Sequence, residues 1–175
     1  MGDAELQSFL DLIAPGKRFV LTTHVQPDGD GIGSELALKP LIEDGGASVR
    51  IVNHDPTPEP LEFLDPDRHC ETYDAGRHDD LIASADVFVM MDNSVPSRLA
   101  EMLEPARRSP ALRACIDHHP DPDPFWALLV VDDRASCTAE MVWRLYARAG
   151  AAIERDTAGR LYAALVSDTG RFRFA

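Results

Sequence analysis

The chain has 175 residues, with 45% apolar and 27% charged, and a net charge of −13 from 30 acidic and 17 basic side chains. That length suits one domain of ordinary size, and no apolar run approaches the length needed to span a bilayer. The acid excess, with no basic stripe, excludes a protein that grips a long nucleic acid through its phosphates, so a nucleotide substrate is expected to be short.

In chain order, the start MGDAELQSFLDLIAPGKR is acidic and mixed and does not read as a secretory signal. Apolar runs predict strands at 19–23 (FVLTT), 48–52 (SVRIV), 87–91 (VFVMM), 112–116 (LRACI) and 128–131 (LLVV). Helical spacing separates most of them. SELALKPLIEDGG predicts a helix capped by Ser34, and Pro40 is expected to kink or divide it. SVPSRLAEMLEPARR, ASCTAEMVWRLYARAG and ERDTAGRLYAALVSD also predict helices. The alternation predicts an α/β domain with a mostly parallel β-sheet flanked by helices, binding its ligand beyond the carboxyl ends of the strands. After Asp168, the alternating Arg-Phe-Arg-Phe stretch predicts the start of an extended segment. Cys70, Cys115 and Cys137 have no pairing or zinc-type spacing, so they are expected to be reduced packing residues in a cytoplasmic protein.

The stretch THVQPDGDGIGS, 23–34, follows the first strand and crowds His24, Asp28 and Asp30. An EF-hand loop needs an oxygen ligand where Ile32 stands, and a dinucleotide fingerprint needs a glycine where Ser34 stands. A plain Pro-Asp-Gly turn accounts for neither His24 nor the second aspartate. Pro27 and the glycines are expected to prevent a regular helix here, so that a tight loop aims the three side chains into one space. That nitrogen-plus-carboxylate set suits a divalent transition metal such as Mn²⁺ better than Ca²⁺.

Three further stretches repeat the pattern. Asp92 follows VFVMM; taken alone, a cap or turn aspartate is the commoner reading. Asp117, His118 and His119 follow LRACI. If the strand geometry persists, the two rings point to opposite sides and have different jobs, one on metal and one on substrate. Asp168 closes an apolar segment, where a C-terminal turn is the plain alternative. Aspartates and histidines thus fall at element ends in four separate places.

Those four stretches resemble the motifs of the DHH phosphoesterase family. HVQPDGDGIGS looks like its first motif, MDNS its second, IDHHPD the motif that names it, and SDTGRF its fourth, in matching order over nearly the whole chain. ASCTAE, 135–140, looks like the family's small-hydroxyl segment before a helix. The subgroup most similar is the nanoRNase and 3′-phosphoadenosine-5′-phosphate phosphatase type. The resemblance implies two Mn²⁺ ions, with Mg²⁺ or Co²⁺ as alternatives. His24 and Asp28 would hold the first, Asp30, His118 and Asp168 the second, and Asp92 would bridge them. Asp117 would support a ligating histidine, and His119 would approach the phosphate. Ser34 and Asn93 are minor contributors or simply cap and turn residues.

By the same resemblance, residues 1–175 are the DHH catalytic domain, the N-terminal half of a two-domain protein whose substrate domain lies beyond this chain. The implied activity is hydrolysis of short oligonucleotides or 3′-phosphoadenosine-5′-phosphate. An inorganic pyrophosphatase and a metal- and nucleotide-binding module with little turnover are the other readings. Arg171 and Arg173 are the cations expected to meet an anionic chain beyond the metals.

Overall fold

The computed structural model describes residues 3–173. One sheet of six parallel strands forms its centre: β1 (Arg18–Thr22), β2 (Ser48–Asn53), β3 (Cys70–Thr72), β4 (Val87–Met91), β5 (Leu112–Asp117) and β6 (Leu128–Val131), in the order β3-β2-β1-β4-β5-β6. All five residues of β4 are buried, as expected for a central strand covered on both faces. Phe19 and Leu21 face one core with Val89 and Ile116, while Val20, Phe88, Met90 and Cys115 face the other. That alternation is the two-residue period of a strand.

Helices α1 (Asp3–Leu10), α2 (Gly29–Asp44) and α5 (Thr138–Ala149) cover the first face; α3 (Ala75–Ser84) and α4 (Leu103–Arg108) cover the second. A last helix, α6 (Arg155–Asp168), packs on α2 and α5. Among the described residues, no helix is long and apolar enough to cross a membrane. Cys115 and Cys137 are buried, and all three cysteines are free thiols.

Strand order reverses between β1 and β4. In open parallel sheets such a reversal opens a crevice beyond the carboxyl ends of the strands. His24, Asp92 and the Asp117–His119 run all lie there, because each stands at or just past the carboxyl end of its strand.

Several expectations are corrected. The helix after β1 begins at Gly29, not Ser34: Asp28 is its cap, its Oδ1 accepting from the N–H groups of Asp30 (2.9 Å) and Gly31 (3.1 Å). The glycines sit in the first turns of this helix rather than preventing it. Pro40 does not divide the helix either. Proline has no N–H for the carbonyl four residues back, and Leu36 O instead accepts from Arg160 Nη1 at 3.4 Å. The predicted helix over 94–108 is broken: Pro96–Met102 is a 3-10 segment that turns at Ala100 (φ +48°), and only Leu103–Arg108 is α-helical. Pro105 falls in the first turn of α4, where a missing N–H breaks no bond within that helix. The expected extended segment after Asp168 is a turn over 169–173, with Arg171 and Phe172 left-handed; Phe174 and Ala175 lie outside the described residues.

Candidate metal centre

The loop after β1 is tied down by its neighbours. Thr23 N donates to Asn53 Oδ1 (2.9 Å) and Thr23 Oγ1 to Met91 O (2.9 Å), joining the ends of β1, β2 and β4. A Cβ on Gly31 would stand 2.4 Å from Thr23 Oγ1, so the first turn of α2 closes on this loop only because residue 31 is glycine. His24 follows. Its Nδ1 lies 2.8 Å from Val25 O and 2.8 Å from Arg98 Nη2. Held from behind, the ring turns Nε2 toward Asp28 Oδ2 (3.9 Å) and Asp92 Oδ2 (3.6 Å).

Asp92 is the first residue after β4 and adopts a left-handed backbone (φ +62°), with its N–H bonded to Ile116 O at 2.9 Å. Aspartate tolerates this conformation better than most residues. The kink stops the strand and puts the carboxylate in the middle of the crevice. Its Oδ2 faces His24, and its Oδ1 stands 3.6 Å from His118 Nε2. His118 Nε2 is also 3.9 Å from Asp30 Oδ2 and 3.6 Å from Asp168 Oδ2. Those spacings are too long for hydrogen bonds, and His118 Nε2 is buried with no hydrogen-bond partner.

Three groups of side chains lie close enough to share an ion: His24, Asp28 and Asp92; Asp30, His118 and Asp168; and Asp92, His118 and His119, each set of ligand atoms falling within 4.8 Å. All of the residues singled out from the sequence as metal or phosphate contacts therefore converge here, while Asp117 stands behind His119. Asp117 is fully buried and bonds to the His119 ring, not the His118 ring. The two rings are also not on opposite sides. Their centroids are 4.4 Å apart, because β5 ends at Asp117 and the extended geometry goes no further.

Electrostatics mark the cluster as short of positive charge. Burial raises the Asp92 carboxyl well above its ordinary range, and the neighbouring Asp30 and Asp28 add to this. Asp168 is likewise raised, chiefly by burial. Asp117 moves the other way: burial pushes it up, but hydrogen bonds from His119 outweigh that and hold it low. The same bond raises His119. Buried carboxylates of one sign need a cation or protons. With an orphaned imidazole nitrogen aimed among them, the donor set fits divalent ions.

Two contributors lie outside the metal and phosphate contacts read from the sequence, and one of them falls in the ASCTAE segment. Helix α5 places the N–H groups of Thr138 and Ala139 on Asp30 (2.6 and 3.0 Å), and the Thr138 hydroxyl on Asp92 Oδ1 (3.2 Å). Arg98, behind His24, carries no motif signal. Ser34 is not a cap; its hydroxyl donates to Asp30 Oδ1 at 3.1 Å. Asn93 is a turn residue, its Oδ1 accepting from Val95 N at 2.9 Å.

Residues 18–165 match the family model described as DHH family, N-terminal domain. The chain is 33% identical over 159 residues to the bifunctional oligoribonuclease and PAP phosphatase NrnA of Bacillus subtilis (strain 168), covering 89% of this chain and 47% of that protein. The Thermus thermophilus NrnA is 31% identical, covering 89% and 44%. The chain thus spans about half the length of the curated relatives it matches. Among solved structures, an exopolyphosphatase-related protein from Bacteroides fragilis superposes with a TM-score of 0.93 at 29% identity, over 99% of this chain and 52% of that one. Exonuclease RecJ bound to manganese shares the fold at a TM-score of 0.56 and 20% identity, over 94% and 43%.

Proposed function

This chain belongs to the DHH family, and from that premise we propose that it is a divalent-metal-dependent phosphoesterase acting on short oligoribonucleotides or 3′-phosphoadenosine-5′-phosphate. The observation that carries the reading is the Asp92 carboxylate, with one oxygen 3.6 Å from His24 Nε2 and the other 3.6 Å from His118 Nε2. His24, Asp28 and Asp92 Oδ2 would hold one ion; Asp92 Oδ1, Asp30, His118 and Asp168 would hold the other. Mn²⁺ suits two imidazoles among carboxylates, with Mg²⁺ or Co²⁺ as alternatives. Two such ions supply Lewis-acid polarisation of a phosphoryl group and lower the pKa of water.

The rest falls to the protein. An ion held by His24 Nε2 would leave the ring's proton on Nδ1, 2.8 Å from Val25 O, with Arg98 Nη2 then donating to that same carbonyl at 3.3 Å. Asp117 holds His119 through Nδ1, so the other ring nitrogen of that half-exposed side chain is free to donate to a phosphoryl oxygen. The raised pKa of His119 favours the protonated form that such donation requires. The four aspartates, 28, 30, 92 and 168, balance two divalent ions, so the centre stays near neutral until an anionic substrate arrives. A net charge of −13 disfavours longer anionic chains elsewhere on the surface.

The oligoribonuclease and PAP phosphatase activities of the two NrnA relatives support the substrate class. The test pairs stability with turnover. Metal held only by the folded state adds RT ln(1 + [L]/Kd), ~2.7 kcal/mol at a hundredfold excess. EDTA should therefore lower the melting temperature and Mn²⁺ restore it. Chromatography should show the dinucleotide pApA or 3′-phosphoadenosine-5′-phosphate hydrolysed only with metal. Absence of both the thermal shift and the hydrolysis would overturn the reading.

A further inference from the structure

We propose that Thr138 is a positioning residue that sets the rotation of the Asp92 carboxylate, so that its two oxygens serve the two halves of the centre. The inference rests on the metal-centre reading above. Thr138 is fully buried at the first position of α5. The first N–H groups of a helix have no partner within it. Cys137, at the cap position, supplies no side-chain bond. Asp30, more than a hundred residues earlier, takes that role: its Oδ2 accepts Thr138 N at 2.6 Å and its Oδ1 accepts Ala139 N at 3.0 Å. With Ser34 Oγ also on Oδ1, backbone and side chain together fix Asp30.

Asp92 is placed differently. Its backbone is fixed by the left-handed turn, yet the last torsion of an aspartate side chain is broad and has no strong intrinsic preference. A carboxylate meant to face two clusters needs that torsion set by a neighbour. The Thr138 hydroxyl donates to Asp92 Oδ1 at 3.2 Å, the oxygen on the His118 side, while Oδ2 stays turned to His24. One residue thus joins both acids: its N–H holds Asp30 and its hydroxyl orients Asp92. The N–H survives any substitution other than proline. The hydroxyl is the part that a side-chain replacement removes, and valine removes it with little change in shape.

The experiment titrates Mn²⁺ into metal-stripped protein by calorimetry, for the wild type, Thr138→Val and Thr138→Ser, with melting temperatures of the metal-free forms measured alongside. The wild type should bind two equivalents. Thr138→Val should keep one and bind the other about 10–100-fold more weakly, the usual loss when a partner of a metal ligand is removed. Thr138→Ser, which restores only the hydroxyl, should recover the second equivalent, a rescue that simple packing of the γ-methyl would not give. Thr138→Ala carries the same comparison should the valine variant fail to fold. Two equivalents at wild-type affinity in Thr138→Val, or a serine variant as weak as the valine one, would overturn the inference while leaving the metal centre intact. A wild type that binds no Mn²⁺ would overturn the centre itself, and the inference with it.

Discussion

Asp117 Oδ1 lies 2.7 Å from His119 Nδ1 and also accepts the backbone N–H groups of His118 (2.8 Å) and His119 (3.1 Å). One buried carboxylate therefore fixes both the turn that ends β5 and the ring that follows it, without facing the ion-binding groups. Asp92, in contrast, belongs to two of the three ion-binding groups, and its Oδ1 also faces His118 of the third. The two aspartates should fail in different ways. Asp92→Ala should lose Mn²⁺ from both positions. Asp117→Ala should retain metal and lose ~10–100-fold in turnover, as expected when a group supporting a functional histidine is removed. Metal analysis of the two purified variants decides the matter. An Asp92→Ala protein that still carries two ions would reject the bridge.

Glu35 gives a pH prediction. It is fully buried, and burial pushes its carboxyl up to about 8 from an ordinary 4.5, against a smaller downward pull from Asn53 Nδ2 at 2.9 Å. Between those values the folded chain keeps a proton that the unfolded chain has released. The stability linked to Glu35 is thus fully present below pH 4.5 and is lost as pH rises through about 8. The slope is at most about 1.4 kcal/mol per pH unit. Glu35→Gln cannot ionise, so it should gain on the wild type steadily across this window. Urea unfolding at four pH values tests it, and parallel wild-type and variant curves would reject a titrating Glu35.

The candidate site was legible in the sequence because a parallel sheet brings its strand ends to one edge. An apolar run followed at once by His24, Asp92 or Asp117–His118 therefore places those residues on a common edge by pattern alone. Less legible was what a residue does besides its motif role. Asp28 reads as a ligand, and it also caps α2 and so moves the helix start back to Gly29. The Thr138 and Ala139 contacts to Asp30 use backbone N–H groups, which have no residue signature. Strand β3, Cys-Glu-Thr, has no apolar period to detect; it forms because β2 offers a parallel edge to pair with. The donor that Leu36 O meets in place of the missing Pro40 N–H is a side chain from the far end of the chain, on α6.

That side chain is Arg160, and its role can be measured. Its Nη1 donates to Leu36 O at 3.4 Å and its Nε to Leu64 O at 3.2 Å. Arg160→Met keeps much of the stem and removes both donors, and it should cost ~1–3 kcal/mol, the range for a buried acceptor left unpaired. In a Pro40→Ala background, residue 40 supplies the N–H that Leu36 O lacks, and the cost should shrink. A double-mutant cycle in urea reads the coupling. Strictly additive effects would mean that Arg160 does not compensate for Pro40.

The contact between α2 and α6 links packing to the metal centre. A Cβ on Gly33 would stand 2.8 Å from Arg160 O and 2.9 Å from Ala164 Cβ. Neither atom is the tip of a flexible side chain, so α6 as a whole must move to admit it. Overpacking of this kind costs ~1–3 kcal/mol. Asp168 is the last residue of α6, and Asp30 lies one turn before Gly33 in α2. Separating the helices therefore separates two of the three residues around His118. Gly33→Ala should lose stability and also bind one Mn²⁺ equivalent more weakly. Gly159, exposed in the middle of α6, has nothing within 4 Å of the place its Cβ would take. Gly159→Ala should add ~0.5–1 kcal/mol, the intrinsic helix preference of alanine over glycine, and leave both metal affinities unchanged. The two variants add the same methyl group to the same helix pair and should move stability in opposite directions. Urea midpoints and Mn²⁺ titrations on both check this, and a Gly33→Ala protein as stable as the wild type, with both ions bound at full affinity, would mean that the α2–α6 spacing does not govern the site.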